Sequence, residues 1–299
     1  MSIVLGANSY GKSEVRLVKV TRHPDRHDLR DLTVDVALEG DYEAAHVKGD
    51  NTGLLATDTM RNTVYALAKD HPVDSIESFA MHLVDHFLAA GPLVTRARVR
   101  VVEHPWSRLV VDGRPHEHAF QRGSGGNRTA TLTGDGGEPR LEAGIDDLLV
   151  LKTTESGWEG YHKEKYTTIK ETSDRILATV VSARWTYGST DVDFNAAWQG
   201  VREEILRTFG DHYSPSVQFT LYRMGEAVLE ARPEVERIRL SLPNKHHLLF
   251  NLEPFGLENR NEIFHATSEP YGLIEGTVQR TPAAVGPAGD GAGVQRARS

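Results

Sequence analysis

The densest group of residues able to do chemistry is the run Leu-Ser-Leu-Pro-Asn-Lys-His-His-Leu-Leu-Phe at 240–250. Two apolar β-type runs flank a proline and four consecutive polar residues, Asn244, Lys245, His246 and His247, where a simple hairpin needs only a turn. An amide, an amine and two imidazoles together can hold a small polar molecule or pass a proton. Four other places could take part. Lys12 stands just before the first β-type run, a solvated flank unless a partner meets it. Thr57 and Asp58 put a hydroxyl and a carboxylate at a helix start, usually a cap, but also where developing negative charge is stabilised. Arg175 precedes an apolar strand, and its planar fork suits a flat anion unless Asp174 or Glu171 neutralises it. Gln218, in Pro215-Ser-Val217-Gln218, offers donors and an acceptor that can read the edge of a heterocycle from a strand.

Other polar clusters carry less. His82, Asp85 and His86 loosely echo an inverted zinc-protease motif, but that motif wants Glu, no third ligand follows, and His82 and Asp85 fall on the polar side of the helix. His116-Glu117-His118 reads as an exposed turn, and the glycines at 123–126 and 134–137 as hairpin turns without a phosphate-cradling helix. No dinucleotide fingerprint is present.

These residues need elements to position them. Alternation predicts strands over 14–22, 32–38 and 94–102, with shorter pieces at 106–111, 118–122 and 128–133. Helical spacing predicts a helix from Met60 with Asp58 as its cap, and a second along Ile76, Phe79, Leu83 and Phe87 with Asp74 and Glu77 as a capping box. The second half gives a strand at 176–187, a helix from Phe194 to Phe209 after Asp193, a strand at 217–222, a short helix at 225–232 stopped by Pro233, and a strand at 235–242. Both halves follow one plan, a duplicated α+β unit with helices on one face of an antiparallel sheet. Units at 1–140 and 141–280 precede a Gly, Ala and Pro-rich tail at 281–299 that is expected to be disordered. Free sheet edges invite other subunits, so an oligomer is expected.

With 42 acidic against 34 basic residues and a net charge of -8, the chain has no basic stripe for nucleic acid. The absence of cysteine removes disulfides, thiolate catalysis and thiolate metal sites, and fits a reducing compartment. No signal peptide, membrane span or Ser-Lys-Leu address is recognisable, so a cytoplasmic enzyme is expected.

Taken in order, Tyr10-Gly-Lys12, Ala56-Thr57-Asp58-Thr59 with Asn62-Thr63-Val-Tyr65, the run from Tyr166 to Arg175-Ile-Leu, Pro215-Ser-Val217-Gln218 and Leu242-Pro-Asn244-Lys-His246 resemble the urate oxidase (uricase) family from residue 10 to about 280. Each motif alone is weak; five in family-like order are specific. The resemblance implies two tandem tunnelling-fold (T-fold) units per chain and a barrel-like homotetramer with its sites between subunits. It implies that Arg175, Gln218 and the Val217 N–H grip urate, that Thr57 and Asp58 reach it from a neighbouring subunit, and that Trp158 stacks on it where the family usually has phenylalanine. It implies Lys12, Thr57 and His246 as a proton relay, and Asn244 as the residue that holds dioxygen. The implied reaction uses no metal or other cofactor: urate, dioxygen and water give 5-hydroxyisourate and hydrogen peroxide. A metal-dependent purine or pterin hydrolase of the same fold, or a purine-binding oligomer without turnover, would be the alternatives.

Overall fold

In the computed structural model, residues 2–281 are described, and the predicted disordered tail lies outside them from residue 282 on. One antiparallel sheet of eight strands runs in the order β1-β2-β3-β6-β7-β8-β9-β12. The first half supplies β1 (Tyr10–Arg22), β2 (His27–Gly40), α1 (Thr57–Asp70), α2 (Ile76–Ala90), β3 (Val94–Glu103), the hairpin β4 (Trp106–Val111) and β5 (Arg114–Arg122), and β6 (Asn127–Gly134). The second half supplies β7 (Arg140–Lys152), β8 (Leu177–Tyr187), α3 (Phe194–Gly210), α4 (Val217–Ala231), β9 (Val235–Asn244), the hairpin β10 (His247–Leu249) and β11 (Phe264–Ala266), and β12 (Gly272–Gln279). Each half is therefore two strands, two helices and two strands with a hairpin inserted before the last. The duplicated α+β plan is what the structure contains.

Each pair of helices buries an apolar stripe against its half of the sheet. Leu32, Val34, Val36 and Leu38 of β2 meet Phe79, Leu83 and Phe87 of α2 in one core. Trp185, Ile238 and Leu240 meet Val201, Ile205 and Val228 in the other. The opposite face of the sheet is polar and laced with ion pairs: Arg100 lies 3.7 Å from Asp35 and 3.5 Å from Asp146, and Arg184 lies 2.6 Å from Asp146. Where the halves join, Arg128 of β6 binds Glu77 of α2 at 2.6 Å and Asn195 of α3 at 2.7 Å, with Glu77 fully buried. Among the described residues no helix is long and apolar enough to cross a membrane.

Several local expectations are corrected. Residues 217–222 are not a strand: the 217–222 and 225–232 segments form the single helix α4, capped by Ser216, whose hydroxyl accepts the Phe219 N–H at 3.1 Å. Aromatic and β-branched residues favour a strand there, but Val217, Leu221, Met224 and Val228 bury one helical face, and packing outweighs propensity. The capping box of α2 is Ser75 with Ser78, because Glu77 turns inward to Arg128. Asp58 does not cap α1; the N-cap is Ala56, without a side-chain bond, and the Asp58 carboxylate faces Arg61 at 2.7 Å and Asn62 at 3.1 Å. The alternation predicted no strand at 140–152, yet β7 is central, since Leu148 to Lys152 resume pairing with β8 after a bulge that breaks the period of two.

Candidate active site

Antiparallel neighbours bring the start of one strand to the end of the next. Arg175 immediately precedes β8, and Asn244 ends β9, so their pairing register, with Thr179 opposite Asn244, places both at one end of the sheet. Pro243 lacks an N–H, and the β8–β9 pairs run from Thr179–Asn244 directly to Ser182–Ser241. The Lys245 N–H then bonds the Ala178 carbonyl at 2.8 Å, turning the chain outward into the β10–β11 hairpin with His246 at the turn. The Thr267 N–H fixes the His246 carbonyl at 2.9 Å, and the Lys245 ammonium lies 5.1 Å from the Tyr271 ring centre.

The segment before β8 folds across itself. Trp158 and Thr172 form a two-way bridge, N–H to carbonyl at 2.7 and 3.2 Å, and the Arg175 N–H bonds the Ser156 carbonyl at 2.8 Å. Trp158, Arg175, Asn244 and His246 consequently line one cavity of about 450 Å³, closed further by Ile169 and Phe264. The Arg175 guanidinium carbon lies 5.9 Å from the Trp158 ring centre. Tyr161 stacks on the indole at 5.3 Å with an interplanar angle of 10°. Tyr161 does not itself line the cavity.

Arg175 lines this cavity together with Lys170, Glu171 and Asp174. Neither of the suggested neutralising partners reaches it: Asp174 accepts from Thr154 at 2.9 Å, and Glu171 pairs with Lys163 at 3.2 Å. Arg175 makes no ion pair among the described residues, its Nε is buried without a partner, and burial lowers its pKa against the opposing influence of Tyr213. A guanidinium cannot shed its proton, so a half-buried fork without a counter-ion among the described residues suits an anion. Helix α4 adds to this field. A parallel bridge between Ser156 and Ser214 docks its N-terminus beside the Trp158 segment, and the first-turn N–H groups of Val217 and Gln218 lie outside the intrahelical ladder. Val217 is buried in the core and Gln218 is exposed; neither lines the cavity within one chain.

Lys12, Thr57 and Asp58 are elsewhere. Lys12 is on β1, one edge of the sheet, whereas β12, which pairs with the end of β9 at Asn244, is the other edge. Five strand spacings separate β1 from β8 and six separate it from β9, about 24–28 Å along the sheet. Locally the β1 group is well organised. The Leu55 N–H donates to the Tyr10 hydroxyl at 3.0 Å, tying the start of α1 to the start of β1, and Tyr42 packs edge-on against Tyr10 at 4.8 Å. Gly11 is required, because a Cβ there would sit 1.8 Å from the Val36 carbonyl oxygen. A bulge follows between Lys12 and Val15, with Glu14 at φ 58° and its N–H bonded to Asp35 at 2.8 Å, which re-aims the strand at Lys12. The structural role of Tyr10 was not read from the sequence, although a tyrosine buried at a strand start has a hydroxyl that needs a partner.

No group of three or more His, Asp or Glu residues among the described residues could hold a metal ion. His82, Asp85, His86 and His118 are exposed.

A uricase family model matches residues 8–133 and again residues 141–275. The chain belongs to the uricase family. It is 49% identical over 278 residues to the uricase of Arthrobacter globiformis, covering 93% of this chain and 90% of that protein. It is 39% identical over 277 residues to the uricase of Dictyostelium discoideum, covering 92% and 96% respectively. The crystal structure of the Arthrobacter globiformis uricase superposes with a TM-score of 0.89 at 48% identity, covering 95% of this chain and 97% of that one. Uricase membership agrees with the tandem plan and explains why the residues of five separate motifs recur in order.

Proposed function

We propose that the protein oxidises urate with dioxygen and water to 5-hydroxyisourate and hydrogen peroxide, at sites assembled between chains of a homotetramer. The observation that carries this reading is Arg175: a half-buried cation without a counter-ion among the described residues, beside the π-face of Trp158 in a cavity of about 450 Å³. That combination suits a flat anionic heterocycle.

Each residue then has a physical task. Arg175, Gln218 and the Val217 N–H hold the edge of the urate anion, and Trp158 stacks on its face, an indole replacing the family's usual phenyl ring. Lys12 accepts a proton through the Thr57 hydroxyl, with His246 orienting or passing it on, while Asp58 shares the α1 start with Thr57. Asn244 holds dioxygen and later water above the ring. Urate stripped of a second proton is electron-rich; two of its electrons reduce dioxygen to peroxide, and the hydroxyl of water bonds to the oxidised ring. The residues deprotonate, position and stabilise charge, and the substrate itself is the reductant.

Because Lys12 lies on the edge strand β1 and Thr57 starts α1 beside it, whereas Arg175 and Asn244 lie at β8 and β9, five and six strands away, a second chain completes each site. The exposed edges β1 and β12 supply the pairing surface, and the polar, ion-paired sheet face suits the lining of a barrel. Within this reading the repeats divide at 140/141, and the cysteine-free chain works in the cytoplasm. The test is to mix chelator-treated protein with urate and record purine absorbance, oxygen uptake and peroxide together. Equal consumption of urate and oxygen with matching peroxide supports the proposal; urate loss without oxygen uptake, abolished by the chelator, indicates the metal-dependent hydrolase.

A further inference from the structure

The linker between α3 and α4 holds a buried polar chain that the reaction does not use directly. His212 Nδ1 donates to the Thr208 carbonyl at the end of α3, and its Nε2 lies 2.9 Å from the Thr220 hydroxyl on α4. The Thr220 hydroxyl lies 2.7 Å from that of Ser214, which lies 3.1 Å from the Ser216 carbonyl at the α4 cap. The Lys152 ammonium donates to the His212 carbonyl, fixing the residue from β7 as well. Thr220 is 1% exposed and Ser214 fully buried.

This chain ends on the substrate clamp. The Ser214 N–H donates to the Glu155 carbonyl and the Gly157 N–H to the Ser214 carbonyl, both at 2.8 Å, so Ser214 joins the α4 cap to the segment carrying Trp158. The adjacent Tyr213 donates its hydroxyl to the Ser173 carbonyl at 3.2 Å, two residues before Arg175, and crosses Gly157 so closely that a Cβ there would meet its oxygen at 2.2 Å. Carbonyls close both ends of the chain. A neutral imidazole and two hydroxyls supply three protons for these four contacts, so at most three are hydrogen bonds at once, and with Nδ1 donating to Thr208, His212 Nε2 acts as an acceptor toward the Thr220 hydroxyl. Burial, Lys152 and Arg223 all favour that neutral ring.

We infer that His212, acting through Thr220 and Ser214, is a positioning residue for urate binding: it sets the Val217–Gln218 helix start against Trp158 and Arg175. The inference rests on the proposed clamp role of those residues. It assigns His212 and Thr220 to ground-state binding and leaves the proton relay of Lys12 and Thr57 untouched.

The test measures urate affinity without oxygen, so that no turnover occurs, together with kcat and KM in air, for Thr220→Val, His212→Leu, His212→Gln and Gln218→Ala. Thr220→Val keeps the shape of the side chain and removes only the hydroxyl. Thr220→Val and His212→Leu are expected to weaken anaerobic urate binding and raise KM about five- to tenfold, the scale of one lost hydrogen bond, with kcat within about twofold. His212→Gln, whose amide oxygen restores an acceptor toward the Thr220 hydroxyl, should recover most of the affinity. If Thr220→Val binds urate normally, or loses kcat and thermal stability together without a selective rise in KM, the positioning role is wrong. If Gln218→Ala also binds urate normally, the clamp reading itself fails; if Gln218→Ala alone weakens binding, only the role of His212 and Thr220 fails.

Discussion

At the residue scale, two side chains divide the work. Among the described residues Arg175 is held without a counter-ion at a half-buried cavity, so its replacement is expected to weaken binding. Arg175→Lys keeps the charge but loses the planar fork, and it is expected to raise the urate KM by roughly 10- to 100-fold, the effect of losing charge-assisted bonds. Lys12→Met acts on chemistry: kcat should fall by about 10²–10⁴ while anaerobic urate binding persists. Steady-state kinetics with equilibrium binding of urate separates the two, and an unchanged kcat in Lys12→Met would remove the relay. His104 makes a third prediction. Burial, with Arg16 and Arg122, lowers its pKa against the opposing Asp31 and Asn127, and its Nε2 lies 2.8 Å from the Thr33 hydroxyl. The folded chain therefore binds fewer protons than the unfolded one below about pH 6.5. Its contribution is present above that value and is lost as pH falls toward the lowered folded pKa. The melting temperature should drop across this window, and His104→Asn should flatten the dependence. Most of these residues are legible from type alone, since a fork, an amide and a paired histidine carry their chemistry with them. That Arg175 lacks a partner is not legible, because Asp174 and Glu171 are near in sequence and are turned aside only by Thr154 and Lys163.

At the element scale, many strands and three helices follow from periodicity, since β1, β2, β3, α1, α2 and α3 bury the stripes that alternation and 3.6-residue spacing mark. Helix α4, strand β7, the β10–β11 hairpin and the edge strand β12 do not. Helix α4 begins with β-favouring residues and is recognisable only from the Ser216 cap and the burial of Leu221, Met224 and Val228. Strand β7 hides behind its bulge at Asp146–Asp147, where Asp147 sits at φ 59°. The α2 start misleads for a tertiary reason: Glu77, suited by spacing to a capping box, is withdrawn into a fully buried pair with Arg128. Burial pushes the Glu77 carboxyl up while Arg128 opposes it. Glu77→Gln leaves the guanidinium without its buried counter-charge, and removal of one partner of such a pair costs about 3–5 kcal/mol. Urea unfolding of the variant should show that loss and, because Arg128 also grips Asn195 and the Phe194 carbonyl, a loosened junction between the two halves. A loss below about 0.5 kcal/mol, typical of surface substitutions, would show that the pair does not lock them.

At the scale of the whole molecule, the residues proposed for the site fall in two groups of one eight-stranded sheet, Lys12 on the edge strand β1 and Arg175 and Asn244 at β8 and β9. The duplicated plan is visible in the order of elements; the separation of the two groups follows only from the strand order, which puts β8 and β9 five and six spacings from β1. Activity should therefore follow assembly, and conditions that dissociate the oligomer should abolish turnover while the chain remains folded. The most direct measurement is complementation. Lys12→Met and Arg175→Gln chains, each inactive alone, are co-expressed with different tags, and the hybrid oligomers carrying both tags are purified and assayed. Sites shared across a two-fold interface give one intact site in each mixed pair, so about a quarter of wild-type turnover should return in randomly paired hybrids. Hybrids as inactive as either parent would mean that Lys12 and Arg175 serve the same site from one chain, or different sites altogether.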